Sequence, residues 1–287
     1  MSLSFTAVGY EHINKGGASR LFGVGQNARY NPIRESLLGQ LSFDATMSSI
    51  LVNASSTSVA NVILFSNNVL GWVPLGDFAG DFVNIGAPKG GAAHFENLTD
   101  HGFNDRTRSL ILVNTSKGPE FRVSFRDKFL DTWNTTIDGQ LGGDASRKGD
   151  PLMTWTAFPE SISYLSPDQI YLEISQRLNI NLDWWPDYDA SITYHLFLYL
   201  DGANKLQGYV QRWSAWVEGG VKSGGIMDKL WPKVESGVAT INAKLKESFK
   251  PLPAFKGFYY LPGRQLAPTT GVETGGTWDD VTLVFEL

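Results

Sequence analysis

Short apolar runs separated by turn-forming residues dominate the first 116 residues of the chain. Ile50–Asn53, Val62–Phe65 and Ile111–Asn114 are rich in the aliphatic residues that suit a pleated, half-buried strand. Gly, Asn, Asp and Pro punctuate the sequence between such runs at intervals of about 8–12 residues. This pattern predicts a β-sandwich or barrel, with no helix in the main body of the first hundred or so residues.

A repeated phrase closes each half of this region. Residues 42–53 read SFDATMSSILVN, and residues 102–114 read GFNDRTRSLILVN. Each half opens with an aromatic residue and a Gly-containing turn, at Tyr10–Gly17 in the first half and Phe65–Gly71 in the second. Halves of about 55–60 residues are too small to bury separate cores, so we expect them to pack against each other.

The pattern changes after residue 117. Strands are predicted at Ile170–Ser175, Leu178–Asp183, Ile192–Leu200, Phe255–Leu261 and Val281–Leu287. Apolar residues between Leu206 and Val217 recur at helical spacing, and a second helical stripe begins near Pro232, includes Phe249 and is ended by Pro251. The sequence therefore predicts a mostly β protein with two domains, a sandwich over residues 1–117 and an α+β domain with two helices in a β framework over residues 118–287.

Charge and composition narrow the possible partners and locations. The net charge is −5, and Lys and Arg are scattered, so we expect neither nucleic acid nor an anionic membrane as a partner. The chain has no cysteine, which excludes disulfides, zinc–thiolate sites and Cys nucleophiles. The first 17 residues lack the basic and apolar regions of a signal peptide, and no apolar stretch reaches the roughly 20 residues that cross a bilayer. A cytoplasmic location is the expectation.

Oxygen-bearing side chains recur within the repeated phrase. The first copy holds Asp44 and Ser48, and the second holds Asn104 and Asp105. Calcium takes about six to eight oxygen ligands, and two such loops side by side could supply most of them. The same residue types also stabilise ordinary turns by bonding to nearby backbone groups, and most such turns bind nothing.

The paired halves resemble the two Greek-key motifs of the microbial βγ-crystallin family, over roughly residues 5–116. The resemblance rests on the aromatic strand and Gly turn at Tyr10–Gly17, and on the pattern of two acids or amides, two further residues, a hydroxyl and Ser in each loop. It implies a double Greek-key sandwich with two calcium sites that borrow ligands from both loops. A weaker likeness is to a two-domain fungal fruiting-body member of the family, which no motif in residues 118–287 supports.

The opening of the second motif departs from the family pattern, with Leu70 and Trp72 where an aromatic residue and Gly are usual, and each loop departs at one further position. Ala45 stands where an acid or amide is usual, and Arg108 stands where a hydroxyl is usual. One unit of like charge at about 4 Å and an effective dielectric constant of ~20 costs roughly 4 kcal/mol. We therefore expect Arg108 to disable one site by occupying it, leaving at most weak calcium binding through Asp44, Ser48, Asn104 and Asp105. The final Ser of each loop is expected to bond the backbone instead of the metal.

The second domain offers one further candidate, the stretch Asp183–Asp189, in which three acids alternate with three aromatic residues. Such a stretch suits a carbohydrate-binding groove, could supply the two carboxylates of a glycoside hydrolase, or is simply a turn anchored by buried Trp side chains. The four histidines form no metal-binding motif, although His94 and His101 could share a zinc ion.

We therefore predict a structural, storage or stress-related protein that is not an enzyme. The alternative is a carbohydrate- or surface-binding module. The sequence leaves the oligomeric state open.

Overall fold

The computed structural model describes residues 3–25, 30–33, 35–54, 60–66, 82–87, 93–114, 118–156, 170–181, 188–217, 223–262, 264–268, 271–275 and 280–287. Within these ranges the protein is mostly β, which confirms the fold class predicted from the turn-punctuated apolar runs. No helix in these ranges combines the length and the apolar character needed to span a bilayer.

The secondary structure of the described residues consists of seventeen strands, three α-helices and short 3-10 turns. The strands are β1 Leu3–Tyr10, β2 Ser19–Gly25, β3 Tyr30–Ile33, β4 Ser49–Ala54, β5 Ala60–Phe65, β6 Phe82–Ala87, β7 His94–Asn97, β8 Ser109–Asn114, β9 Glu120–Ser124, β10 Ala145–Arg147, β11 Leu152–Thr156, β12 Ile170–Ile180, β13 Tyr188–Leu200, β14 Leu206–Val217, β15 Gly257–Pro262, β16 Gly271–Gly275 and β17 Val281–Glu286. The helices are α1 Glu35–Gln40, α2 Phe125–Leu141 and α3 Ser223–Phe249. The 3-10 turns are Ile13–Lys15, Leu98–His101 and Gly142–Asp144.

The chain divides into two compact units. The first contains Met1–Pro119 together with Thr156–Ser163 and Gln265–Trp278, and the second contains Glu120–Trp155, Tyr164–Arg264 and Asp279–Leu287. The first unit therefore takes in β16, which comes from the C-terminal part of the sequence, beyond the division at residue 117 that the composition suggested.

Two antiparallel sheets build the described part of the first unit. Sheet A has the strand order β2-β1-β4-β7, and sheet B has the order β16-β6-β5-β8-β3. In both repeats the first strand pairs with the second and the fourth, as β1 does with β2 and β4, and β5 with β6 and β8. The third strand of each repeat joins the other repeat's sheet, β3 beside β8 and β7 beside β4. The sequence repeat is thus a structural repeat in which each half completes the sheet of the other.

The two sheets of the first unit are buried to different degrees. In sheet A, Phe5 and Ala7 are buried while Thr6 and Val8 are only partly so, the alternation expected of a sheet with one face on the core. In sheet B every residue of β5, β6 and β8 is buried. A strand buried on both faces reads as a continuous apolar run, which explains why these segments do not alternate in sequence.

A short helix contradicts the prediction that the first hundred or so residues contain none. Helix α1 has six residues and precedes the first repeated phrase, and its counterpart in the second repeat is the 3-10 turn Leu98–His101. Leu38 in α1 and Leu98 in the turn are both fully buried. Their carbonyls accept equivalent hydrogen bonds from the amides of Phe43 and Phe103, each at 2.8 Å. The helical turn is therefore part of the repeat, and one turn is too short to leave a periodic signal in the sequence.

The second unit packs two helices against a long antiparallel sheet. Sheet C has the order β10-β12-β13-β14, with β11 also paired to β12, and a separate sheet D has the order β15-β17-β9. Trp133 of α2 is fully buried, lies edge-on to Tyr194 of β13 at 4.8 Å, and donates its indole N–H to the side chain of Gln176 at 3.0 Å. On α3, the Asn242 amide accepts from and donates to the backbone of Val210. These contacts hold α2 against β12 and β13 and α3 against β14.

The predicted helix between Leu206 and Val217 is wrong, because these residues form strand β14. The register between β13 and β14 shifts at a bulge, where Thr193 faces Ser214 and Tyr194 faces Arg212. The extra residue brings Val210 and Val217 to the same buried face, although their separation of seven would place them on opposite faces of a regular strand. A bulged strand thus imitates the seven-residue repeat of a helix.

The unit does contain two helices, but only one was predicted. Helix α3 begins at Ser223, before the predicted start near Pro232, so this proline lies inside the helix. Helix α2 was missed, although Ser124 caps it by accepting a hydrogen bond from the Asp127 amide at 3.0 Å. Its buried residues Phe125, Phe129, Trp133, Ile137 and Leu141 recur every four positions, and this spacing was the available signal.

Strand β16 makes the first unit dependent on the C-terminal part of the chain. It pairs with β6 over five residues, and the nearby Gln265 side chain accepts a hydrogen bond from the buried amide of Asn84 at 2.8 Å. A buried amide that loses such a partner costs roughly 1–3 kcal/mol. We expect a fragment of residues 1–119 to unfold at a lower urea concentration than the same unit in the full chain.

Urea unfolding, monitored by the exchange of backbone amides in β5 and β8, would measure this difference in unfolding midpoint. Joining residues 265–278 to the fragment through a flexible linker should restore much of the lost stability. Equal unfolding midpoints for the bare fragment and the full chain would show that β16 is dispensable.

Candidate functional site

The two repeated phrases form loops that lie side by side. Loop 1, Phe43–Ser49, and loop 2, Phe103–Ser109, exchange two equivalent main-chain hydrogen bonds. The amide of Ala45 donates to the carbonyl of Thr107 at 2.9 Å, and the amide of Asp105 donates to the carbonyl of Met47 at 3.1 Å. Because equivalent atoms are paired in both directions, the loops are related by an approximate twofold axis.

Local sequence explains why the loops adopt the same conformation. Phe43 and Phe103 begin the loops as buried anchors, and Ser49 and Ser109 end them fully buried. The second residue after each Phe lies in the left-handed region, with φ of 50° at Ala45 and 53° at Asp105. Asp tolerates this conformation better than Ala, because its short polar side chain can bond locally. Loop 1 therefore keeps the backbone of the repeat although its sequence no longer favours it.

Three of the four predicted metal ligands lie together. The Ser48 hydroxyl lies 2.6 Å from the carbonyl oxygen of Glu11 and 3.0 Å from Oδ1 of Asp105. The Asn104 amide donates to Oδ2 of the same Asp105 carboxylate at 2.6 Å. We call the group formed by Glu11, Ser48, Asn104 and Asp105 the Ser48 half-site. It brings together a carboxylate, a hydroxyl, a side-chain amide and a main-chain carbonyl, all oxygen donors of the kind that calcium prefers.

The equivalent position across the twofold axis differs in chemistry. Here Arg108 replaces the hydroxyl of Ser48, Ala45 replaces the carboxylate of Asp105, and the fourth predicted ligand, Asp44, is nearby. The Arg108 guanidinium lies 3.6 Å from Oδ2 of Asp44. The other oxygen of this carboxylate, Oδ1, is buried and has no hydrogen-bond partner among the described residues. We call this group, Asp44, Ala45 and Arg108, the Arg108 half-site; a guanidinium is present where a divalent cation would need oxygen.

The final serine of loop 1 serves the backbone, as predicted. The Ser49 hydroxyl donates to the carbonyl of His12 at 2.7 Å and accepts from the amide of Lys15 at 3.3 Å. Both contacts hold the hairpin between β1 and β2, which also supplies the Glu11 carbonyl of the Ser48 half-site. Within the described ranges, no three His, Asp or Glu side chains are grouped as a metal ion would require. The Ser48 half-site instead combines one carboxylate with hydroxyl, amide and carbonyl oxygens.

The acidic and aromatic stretch of the second unit falls mostly outside the described residues. Only Tyr188 and Asp189 lie within them, at the start of β13. The Asp189 carboxylate is 2.5 Å from the Lys148 ammonium. One of the acids that a carbohydrate-binding groove would use is therefore engaged in an ion pair.

Sheet C holds a buried acid–imidazole pair that the sequence analysis did not predict. Glu173 of β12 and His195 of β13 face each other across the strands, with Oε2 and Nε2 3.6 Å apart. Both side chains are buried, and Oε1 of Glu173 has no hydrogen-bond partner among the described residues. Burial raises the pKa of Glu173 to about 7 and lowers the pKa of His195 to about 3. A charged residue inside each of two apolar strands was the available signal, but only the register brings the two together.

Comparison with known proteins yields little for this sequence. No protein-family model matches it, and no curated protein does. Among solved structures, a match is found to a crystal structure of lipopolysaccharide binding protein at 14% identity, over 76% of this chain and 56% of the length of that chain, with a TM-score of 0.26. A likeness at this level carries no argument about fold or function.

The buried Glu173 carboxyl should make stability depend on pH in a defined direction. Its folded pKa lies above the ordinary value of 4.5, so burying its charge becomes costly as the pH rises from 4.5 to about 7. Replacing Glu173 with Gln removes this cost. We expect the stability of Glu173→Gln relative to wild type to increase by roughly 3 kcal/mol between pH 4.5 and pH 8.

Urea unfolding of both proteins at these two pH values measures the effect. The exposed Glu247, whose side chain is 73% accessible on α3, provides the control substitution Glu247→Gln. A stability difference between Glu173→Gln and wild type that does not change with pH would contradict the assignment.

Proposed function

We propose that the protein is a non-enzymatic structural, storage or stress-related protein whose first unit is a βγ-crystallin-like double Greek-key domain with one weak calcium site. The observation that carries the proposal is the reciprocal pairing of loops 1 and 2, which sets a cluster of oxygen-bearing groups on one side and a guanidinium on the other. The absence of cysteine fits a reducing, cytoplasmic setting.

The strand order of the first unit supports the Greek-key part of the proposal. In a Greek key, the fourth strand returns to lie beside the first. Here β4 returns to β1 and β8 returns to β5, while the exchanged strands β3 and β7 link the repeats. A duplicated arrangement of this kind holds both closing loops at the same end of the sandwich.

The Ser48 half-site supports calcium as the ligand. In the present arrangement the Ser48 hydroxyl and the Asn104 amide satisfy the Asp105 carboxylate. A calcium ion would take the place of the hydrogen bonds that the Ser48 hydroxyl and the Asn104 amide make to the Asp105 carboxylate. The Ser48 and Asn104 side chains would then turn their oxygens toward the ion. Since the ligands are already bonded to one another, calcium must compete with those bonds, and binding should be weak.

The Arg108 half-site is the reason for proposing one calcium site instead of two. The Asp44 carboxylate there faces a permanent cation on the opposite loop. A bound calcium ion would stand within a few ångströms of the guanidinium, and one unit of like charge at about 4 Å costs roughly 4 kcal/mol at an effective dielectric constant of ~20. Arg108 thus supplies in the fold the positive charge that calcium would otherwise bring.

Such a site would serve stability. A ligand bound only to the folded state stabilises it by RT ln(1 + [L]/Kd), so even a weak site contributes when calcium is abundant. The partly exposed ion pair between Arg108 and Asp44 would help to hold loops 1 and 2 together without any metal. A long-lived structural or storage protein benefits from both effects.

Calorimetric calcium titration of wild type beside Arg108→Ser tests this proposal. We expect weak or undetectable heat for wild type. The variant restores a hydroxyl at the position equivalent to Ser48 and frees the Asp44 carboxylate, so it should bind calcium more tightly by tenfold or more, the ratio that 1.4 kcal/mol supplies.

Two further variants separate the half-sites. Ser48→Ala should abolish the remaining wild-type heat, and Arg108→Lys, which keeps the charge, should show no gain. Two tight sites in wild type, or an equal gain in Arg108→Lys and Arg108→Ser, would contradict the role given to Arg108.

A further inference from the structure

Two histidines share one carboxylate at the edge of the first unit. Nε2 of His94 lies 2.6 Å from Oε1 of Glu96, and Nε2 of His101 lies 3.2 Å from Oε2 of the same residue. The three side chains are each about one-fifth exposed, so the cluster is neither fully buried nor freely solvated. It joins the edge strand β7 to the 3-10 turn that leads into loop 2.

The first repeat has no such cluster at the equivalent place. Glu96 faces Ile50 and His94 faces Val52 in the pairing of β7 with β4. At the matching register of β3 with β8, Ile33 faces Leu110 and Asn31 faces Leu112. The position of His101, two residues before the anchoring Phe of the loop, belongs to Leu41 in the first repeat.

The comparison between repeats shows that the fold does not need these charges. Leu41 is partly buried and packs against the hydrophobic core of the sandwich. An apolar or amide residue therefore meets the structural requirement at these positions. The second repeat carries instead three titratable groups bonded to one another, and a function beyond packing would explain the difference.

The charged surroundings of the cluster are simple. Strand β4 presents Ile50 and Val52 at this register, and neither carries a charge. The turn Leu98–His101 also holds the exposed Asp100. The Lys15 ammonium lies 5.1 Å from the Phe95 ring, whose side chain points to the other face of β7.

We infer that His94, Glu96 and His101 form a proton-binding clamp that ties β7 to the start of loop 2 and tightens on mild acidification. Histidine is the side chain that ordinarily gains charge between pH 5 and 8. A proton taken up by either ring places a cation within hydrogen-bond distance of the Glu96 carboxylate, and the neutral hydrogen bond becomes a charge-assisted one. None of these three residues belongs to the Ser48 half-site or the Arg108 half-site.

Protonation of the Glu96 carboxyl sets the low-pH end of the range in which the clamp can form. Partial burial raises the pKa of Glu96, but hydrogen bonds from His101 and His94 lower it more, so the net pKa lies below the ordinary 4.5. A carboxyl with a lowered folded pKa contributes stability above its unfolded pKa, and this is lost as the pH falls through the folded value. The clamp should therefore be lost again in acid strong enough to protonate Glu96.

The repeat itself supplies the test, a variant carrying the first-repeat residues: His94→Asn, Glu96→Ile and His101→Leu. The measurement is amide exchange at Phe103, which donates to the Leu98 carbonyl, corrected for intrinsic exchange at pH 7.5 and pH 5.5. In wild type we expect the local opening constant to fall by about two- to fivefold at the lower pH, the range for a partly exposed ion pair. In the triple variant this change should vanish.

Two controls keep the result interpretable if the triple variant folds poorly. Glu96→Gln keeps the shape of the clamp without its charge, and it should lose the pH effect as well. His12→Asn removes another histidine of the same unit and should retain the effect. All other titrating groups are common to these proteins and cancel in the comparison.

Two outcomes would overturn the inference. One is an unchanged pH effect in both the triple variant and Glu96→Gln. The other is a marked increase in Phe103 protection on adding Zn²⁺ at pH 7.5 that the triple variant lacks, which would make the cluster a metal site instead of a proton clamp.

Discussion

The two main-chain hydrogen bonds between loops 1 and 2 are the constraint on which the first unit depends. They pair equivalent atoms, Ala45 with Thr107 and Asp105 with Met47, and so fix the repeats about an approximate twofold axis. Once this register is set, β3 and β7 must cross into the opposite sheets, and the apolar faces of both repeats close on one core. Side chains on the loops can then vary without loss of the fold.

That freedom explains the asymmetry of the two half-sites. One side keeps Ser48 and Asp105 in contact, whereas the other holds Arg108 against Asp44. Both arrangements bring opposite or complementary polar groups across the loop interface, so both can stabilise it. In our account they differ in what they leave for a ligand: a cation can enter the first, and the second already contains one. The His94–Glu96–His101 cluster, matched by Asn31, Ile33 and Leu41 in the first repeat, shows the same divergence at the sandwich edge.

Sequence patterns predicted the parts of the fold that depend on local composition. The strands that close each repeat and the adjacency of the loops followed from the duplicated phrase, and the helical stripe from Pro232 to Phe249 predicted the main part of α3. The elements that were not predicted depend on the register between strands that are far apart in sequence. The bulge opposite Thr193 made β14 look helical, and strand β16 joins sheet B from more than 180 residues away in sequence, where no local signal can report it. Of the four candidate ligands, the sequence could name the residues, but only the structure separates Asp44 from the other three.

The central claim is that one half-site accepts a cation and the other is filled by Arg108. A crystal structure of the full chain grown in the presence of calcium tests it most directly. Our account predicts a single calcium ion in the Ser48 half-site, coordinated by Ser48, Asn104, Asp105 and the Glu11 carbonyl, with the Arg108 guanidinium still facing Asp44. Calcium bound beside Asp44 with Arg108 swung into solvent would contradict it.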